Sequence, residues 1–212
     1  HLYASLACPW AHRALLARAV RGLEDMVSLS IVHWRMGEQG WGFTPGPGVI
    51  PDTIFGERYL HEIYSHADPA FTGRVTVPAL WDRHTQTIVN NDASDLPRML
   101  NRAFVELGAT GPDLYPVELR PEIDAWNARI QPSVNEGVYK AGFAPSEAAW
   151  SQALDALFGT LDALESHLAQ SRFLCGDHLT EADLRLFPSL IRFDAVYFDL
   201  FRCNRRQLAD YP

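Results

Sequence analysis

The feature that most limits how this chain can fold is a change of pattern at its middle. Up to about residue 104, short alternating stretches take turns with helical ones, and beyond 115 every periodic stretch has helical spacing. Val27, Leu29 and Ile31 alternate with polar partners and mark a strand over 27–33, and residues 1–4 read as another. Between them, Ala11, Leu15, Leu16 and Ala19 give 9–20 a helical face. A helix over 59–67, a hairpin of 79–81 with 87–89, and a helix over 93–104 complete the first half. The order βαβ, helix, hairpin, helix predicts an α/β domain over 1–107. The polar, Gly- and Pro-containing stretch 108–115 is the expected boundary.

The second domain, 108–212, carries no credible strand. Helices are predicted over 116–134, 146–168 and 180–196, so this half reads as all-α. Leu154, Leu157, Phe158, Leu161, Leu164 and Leu168 form one apolar stripe along the middle helix. Thr180 with Asp183 makes a capping box at the start of the last one, with Leu179 and Leu184 placed for the hydrophobic staple. The stretch 37–52 is rich in Gly and Pro and holds Trp41 and Phe43. A loop that long inside a small domain is a functional suspect.

Composition removes several function classes. With 47% hydrophobic residues the chain has material for packed cores, and 18 basic against 26 acidic side chains leave a net charge of −8. That balance argues against nonspecific binding to nucleic acid or anionic lipid. No apolar run approaches the roughly 18 residues needed to span a bilayer, so no membrane partner is expected. The three cysteines, Cys8, Cys175 and Cys203, are too few for a disulfide framework and lack zinc-ligand spacing. A reducing, cytoplasmic setting is expected, and neither a metal nor a nucleotide cofactor has a signature. The chain opens at His1 inside an apparent strand and stops at Pro212 just after a helical stretch, so both ends are expected to be trimmed.

Cys8-Pro9-Trp10-Ala11 lies where a strand hands over to a helix, with Pro9 at the first helical position that its fixed φ favours. A cysteine taken at random is a small buried hydrophobe. One facing the unpaired N–H groups and positive end of a helix is stabilised as the thiolate and acts as a nucleophile. The fourth position is Ala11 rather than a second cysteine, so the resolving thiol must come from outside. Monothiol exchange through a mixed disulfide, with glutathione as the external thiol, is the chemistry predicted. Cys175 and Cys203 have no such setting and read as structural.

Around this thiol the sequence offers recognition groups. Val77-Pro78 precedes a strand; a cis proline there would leave the Val77 backbone open to an extended peptide, although a trans turn is the ordinary expectation. Asn90-Asn91-Asp92-Ala93-Ser94 ends a strand and opens a helix. It offers N–H groups to a carboxylate and Asp92 to an ammonium group, or serves simply as a helix cap. Arg74 is a candidate carboxylate clamp.

The runs Cys8-Pro9-Trp10-Ala11-His12-Arg13, Thr72-Gly73-Arg74-Val75-Thr76-Val77-Pro78-Ala79-Leu80-Trp81-Asp82, Ile88-Val89-Asn90-Asn91 and Leu190-Ile191-Arg192-Phe193-Asp194-Ala195-Val196-Tyr197 carry a wider likeness. Together they resemble the glutathionyl-hydroquinone reductases, the Xi-class glutathione transferases. The resemblance implies a thioredoxin-like domain followed by an all-helical one, a cis Pro78, and reductive deglutathionylation of glutathionyl-hydroquinones with glutathione as co-substrate. It casts Cys8 as the nucleophile. Trp41, Arg74, Val77, Asp92 and Ala93 become the glutathione site, and Tyr139, with Tyr197 near it, the group that meets the aromatic substrate. Tyr139 would donate to the hydroquinone oxygen. The family usually carries Glu-Ser where this chain has Asp92-Ala93, which implies weaker glutathione binding unless Ser94 compensates.

The resemblance also implies quinone-derived conjugates as partners and a homodimer. Two other readings fit parts of the pattern. An omega-like thioltransferase or dehydroascorbate reductase would use the same thiol, whereas a noncatalytic binding module on the same fold would have no need of it.

Overall fold

All four residues of β1 (Leu2–Ser5) are buried, and a strand covered on both faces and paired on both edges must be central. The computed structural model, which describes residues 1–212, puts it there, in a sheet of order β2-β1-β3-β4. β2 (Leu29–Val32) runs parallel to β1, Leu2 opposite Leu29 and Ser5 opposite Val32, as a crossover through α1 (Pro9–Val20) allows. β3 (Ala79–Asp82) lies antiparallel on the other edge of β1 and is joined by a hairpin to β4 (Thr87–Asn90). Asp82 closes the hairpin, accepting from the His84 N–H at 2.8 Å and the Thr85 hydroxyl at 2.7 Å. α2 (Leu60–Ala67) and α3 (Asp95–Arg102) complete this unit, whose core gathers Tyr3, Ile31, Leu60, Ile63, Val77 and Trp81.

The chain divides into two units, His1–Pro112 and Asp113–Pro212. The division lies beyond the expected 107/108, because the end of the connector is tied back to α1. The N–H groups of Thr110 and Gly111 donate to the Arg21 carbonyl at 3.2 and 3.4 Å. A Cβ on Gly111 would sit 1.7 Å from the Val20 carbonyl oxygen, so only glycine lets the backbones approach this closely.

The second unit contains α4 (Arg120–Ile130), α5 (Gly137–Gly142), α6 (Glu147–Leu168) and α7 (Glu181–Leu190). Its core is built from Ile123, Ile130, Val134, Leu154, Leu157, Leu161, Leu164, Leu186 and Phe193. The stripe on α6 is buried except at its end, where Leu168 is exposed, and the Ser146 hydroxyl caps the helix by accepting from the Ala149 N–H at 3.2 Å. The reciprocal box at α7 forms. Asp183 accepts from the Thr180 N–H at 2.9 Å, and its other oxygen accepts from the Leu174 N–H at 2.9 Å.

Two predicted helices of this unit are shorter than expected. Residues 116–119 make a turn, and α4 starts after it. Pro132 has no N–H to continue the helix, so the backbone widens over Gln131–Asn135 and Glu136 donates to the Gln131 carbonyl five residues back. The helix predicted over 180–196 stops at Leu190, and Phe193–Tyr197 forms a second wide turn. No helix is long and apolar enough to cross a membrane.

Candidate active site

Cys8 is the N-cap of α1, with extended backbone (φ −86°, ψ 116°) and its carbonyl accepting from the His12 N–H at 3.0 Å. Its Sγ accepts from the Ala11 N–H at 3.5 Å, and as a thiol it reaches the Val77 carbonyl at 3.8 Å. The half-buried sulfur therefore has both a helix-end N–H that favours the thiolate and a direct link to the residue before Pro78. The Val77-Pro78 bond is cis. This corrects the trans turn expected from the residues alone and agrees with what the resemblance implied.

Cys175 and Cys203 are fully buried. Burial, joined at Cys175 by the Glu122 and Asp183 charges, pushes both thiols up to about 12. Brief iodoacetamide treatment of the native protein is therefore expected to add one carbamidomethyl group, on Cys8, with the other two cysteines labelled only after unfolding. Peptide mass spectrometry showing labelled Cys175 or Cys203 in folded protein would contradict this assignment.

Trp41 lies in the long loop after β2, half-buried against the same core cluster that seats Cys8. Its carbonyl accepts from the Leu60 N–H at 2.9 Å, and the next-but-one residue, Phe43, donates to the Arg58 carbonyl at 2.9 Å. The loop is anchored by Asp52, a buried carboxylate that sequence reading missed. Asp52 accepts from the Tyr3 hydroxyl at 2.9 Å and from the N–H groups of Ile54, Phe55 and Glu57 at 3.0 Å each. Burial alone would raise its pKa. The hydrogen bonds from Glu57, Ile54, Tyr3 and Phe55 outweigh it and hold the carboxyl below the usual range. The only hint in the sequence is a Pro-Asp pair, which is turn chemistry.

Asp92 caps the turn that leads into α3, two residues before that helix's N-cap Ser94. Its Oδ1 accepts from the N–H groups of Ser94 and Asp95 at 2.6 and 3.1 Å, while its own N–H donates to Asn90 Oδ1 at 2.7 Å. Of the amides expected to greet a carboxylate, that of Ser94 is thus engaged by Asp92 itself. Ala93 follows, half-buried, and Arg74 stands exposed with no hydrogen bond or ion pair. Tyr64 on α2, a second residue missed from sequence, donates to the Thr76 carbonyl at 2.8 Å and accepts from Asn91 Nδ2 at 3.1 Å. No group of three His, Cys, Asp or Glu side chains is placed to hold a metal ion.

In the second unit, Tyr139 on α5 and Tyr197 at the end of the second wide turn meet hydroxyl to hydroxyl at 3.2 Å. Their rings lie edge to face at 5.7 Å, and Phe201 packs edge-on against both. Tyr197 is buried and Tyr139 half-buried, so only the latter presents part of its ring to solvent. A Cβ on Gly142 would come within 2.4 Å of Phe201, so the close seating of that ring under α5 depends on glycine. α5 itself was not predicted: six residues bounded by glycines give too little periodicity to read.

A mixed four-stranded sheet with a capping cysteine before a cis proline, followed by an all-helical unit, defines the glutathione transferase fold. Models of the glutathione S-transferase N-terminal and C-terminal domains match residues 7–103 and 124–212. The chain is 55% identical over 212 residues to the glutathionyl-hydroquinone reductase PcpF of Sphingobium chlorophenolicum, covering all of this chain and 68% of that one. It is 49% identical over 212 residues to the glutathionyl-hydroquinone reductase YqjG of Escherichia coli K12, covering all of this chain and 65% of that one. The glutathione-bound structure of YqjG superposes with a TM-score of 0.96 over the whole of this chain and 69% of its own, at 48% identity. The chain belongs to the glutathionyl-hydroquinone reductases of the glutathione transferase family, and it spans about two thirds of the length of these relatives.

Proposed function

We propose that the protein reduces glutathionyl-hydroquinones to hydroquinones with glutathione. The observation that carries this is Cys8 as the N-cap of α1, its sulfur linked to Ala11 N–H and Val77 carbonyl and without a second cysteine in the next turn. The Cys8 thiolate attacks the glutathionyl sulfur of the aryl thioether. The S–S bond of Cys8–S–SG forms as the aryl C–S bond breaks, and its electron pair passes to the aryl carbon, which takes a proton from solvent. A second glutathione thiolate attacks the mixed disulfide, forming glutathione disulfide and returning Cys8 as thiolate. The substrate's thioether sulfur and the thiol sulfur of the added glutathione each lose one electron in becoming the disulfide and the aryl carbon gains two, so the electrons balance without a further cofactor.

In this reading Trp41, Arg74, Val77, Asp92 and Ala93 hold the glutathionyl part. The Tyr139 hydroxyl, oriented by Tyr197, donates to a hydroquinone oxygen as charge moves onto the ring. The names of PcpF and YqjG and the glutathione held by YqjG support the substrate class. The reaction consumes reduced glutathione, which suits the cytoplasm, and a homodimer is the assembly we retain.

The test is intact-protein mass spectrometry after mixing with a glutathionyl-hydroquinone, with hydroquinone followed by chromatography. One glutathione adduct mapping to Cys8, formed together with free hydroquinone, is the expected result. Folded protein that gives neither adduct nor hydroquinone would overturn the reading.

A further inference from the structure

Beside the loop that bears Trp41, three irregular segments carry groups assigned to glutathione: the turn 71–76 with Arg74, the Val77-Pro78 bend, and the turn 90–94 with Asp92 and Ala93. None belongs to a helix or to the interior of a strand, so their mutual placement needs a fastener. Tyr64, only 3% exposed in a helix whose Leu60 and Ile63 are fully buried, touches the first and the last of these and reaches the residue next to Val77. Its hydroxyl donates to the Thr76 carbonyl at 2.8 Å, next to Val77, and takes the Asn91 side-chain amide at 3.1 Å, next to Asp92. The Thr76 N–H completes the hydroxyl's set at 3.4 Å. Its ring packs on Phe71 at 5.0 Å. Phe71 in turn lies close over Gly73, where a Cβ would meet the end of its ring at 2.8 Å, so the ring sits on the backbone leading into Arg74.

We propose that Tyr64 is a positioning residue for glutathione recognition, its hydroxyl setting the spacing between the Val77 backbone and the Asp92 turn. It touches neither the sulfur nor the reacting carbon, so its effect falls on binding rather than on the chemical step. The inference rests on the assignment of those segments to glutathione made above.

Tyr64→Phe keeps the ring and its contact with Phe71 while removing both strong hydrogen bonds. Calorimetric titration with S-methylglutathione, a thioether that Cys8 does not cleave, is expected to show binding weakened five- to tenfold, on the order of one or two lost hydrogen bonds. The KM for glutathionyl-hydroquinone should rise by a similar factor with kcat within about twofold. Iodoacetamide labelling of Cys8 should proceed at the parent rate. Asn91→Ala, at an exposed position that does not endanger folding, should weaken S-methylglutathione binding two- to fivefold. Combined with Tyr64→Phe it should add little, because both remove one bridge.

Unchanged S-methylglutathione affinity in either folded variant, or a fall in kcat at constant KM, would overturn the proposal, as would a parent protein that does not bind S-methylglutathione. A parent that binds it but releases no hydroquinone would defeat the proposed reaction while leaving the role of Tyr64 standing.

Discussion

Cys8→Ser is expected to reduce hydroquinone release by at least about a thousandfold, because serine cannot form the covalent sulfur intermediate on which both half-reactions depend. The loss should appear in kcat and not as a weaker affinity for S-methylglutathione, since the substituted atom does not bind the peptide portion. Stability should be kept or slightly raised. Cys8 occupies an N-cap, where a serine oxygen accepts the Ala11 N–H better than sulfur does at 3.5 Å. Circular dichroism with chromatographic assay separates these effects. A folded variant retaining more than about a tenth of the parent rate would mean that another group does the chemistry.

Asp52→Ala should have the largest effect on stability, about 3–5 kcal/mol. It leaves the buried Tyr3 hydroxyl and the N–H groups of Ile54, Phe55 and Glu57 without their charged acceptor. A fall in Tm on the order of 10 °C or more is the expected readout. The pH dependence has a definite sign. Because the folded carboxyl titrates below its unfolded value of about 3.9, its contribution is complete above that value and is lost as pH falls through the lower native one. The parent should therefore lose more stability than the variant between about pH 4 and pH 2. Equal losses, or a destabilisation under about 1 kcal/mol, would show that the four donors find other partners.

Asp52 also marks where the sequence stopped being legible. The strands around β1, the helix after Cys8, the hairpin and the box at Thr180 each announce themselves within a few residues, through periodicity or a cap. Asp52 joins a local turn, through the N–H groups of Ile54, Phe55 and Glu57, to the distant Tyr3, and Tyr64 acts through Thr76 and Asn91; no local pattern marks these long-range partners. Pro78 is similar: the residues favoured trans, and the isomer was legible only through the family resemblance. At Pro132 the sequence did hold the information. A proline beyond the first turn removes an amide, and the widened backbone at Gln131–Asn135 is its direct outcome. At Asp92 the residues left two readings open, and the capping one describes the carboxylate's hydrogen bonds.

The central position of β1 has a consequence for how the thiol can be reached. Cys8 follows the strand that is paired on both edges, and its N–H donates to the carbonyl of Ser5, the last residue of that strand. Amides in such a strand exchange with solvent deuterium only when the sheet itself comes apart, so the slowest-exchanging protons of this unit should lie immediately before the nucleophile. The loop bearing Trp41 is held by isolated bridges at Gly42 and Ile50 and by Asp52 rather than by a continuous ladder, so its amides should exchange faster. The sulfur is thus mounted next to the part of the unit expected to open last.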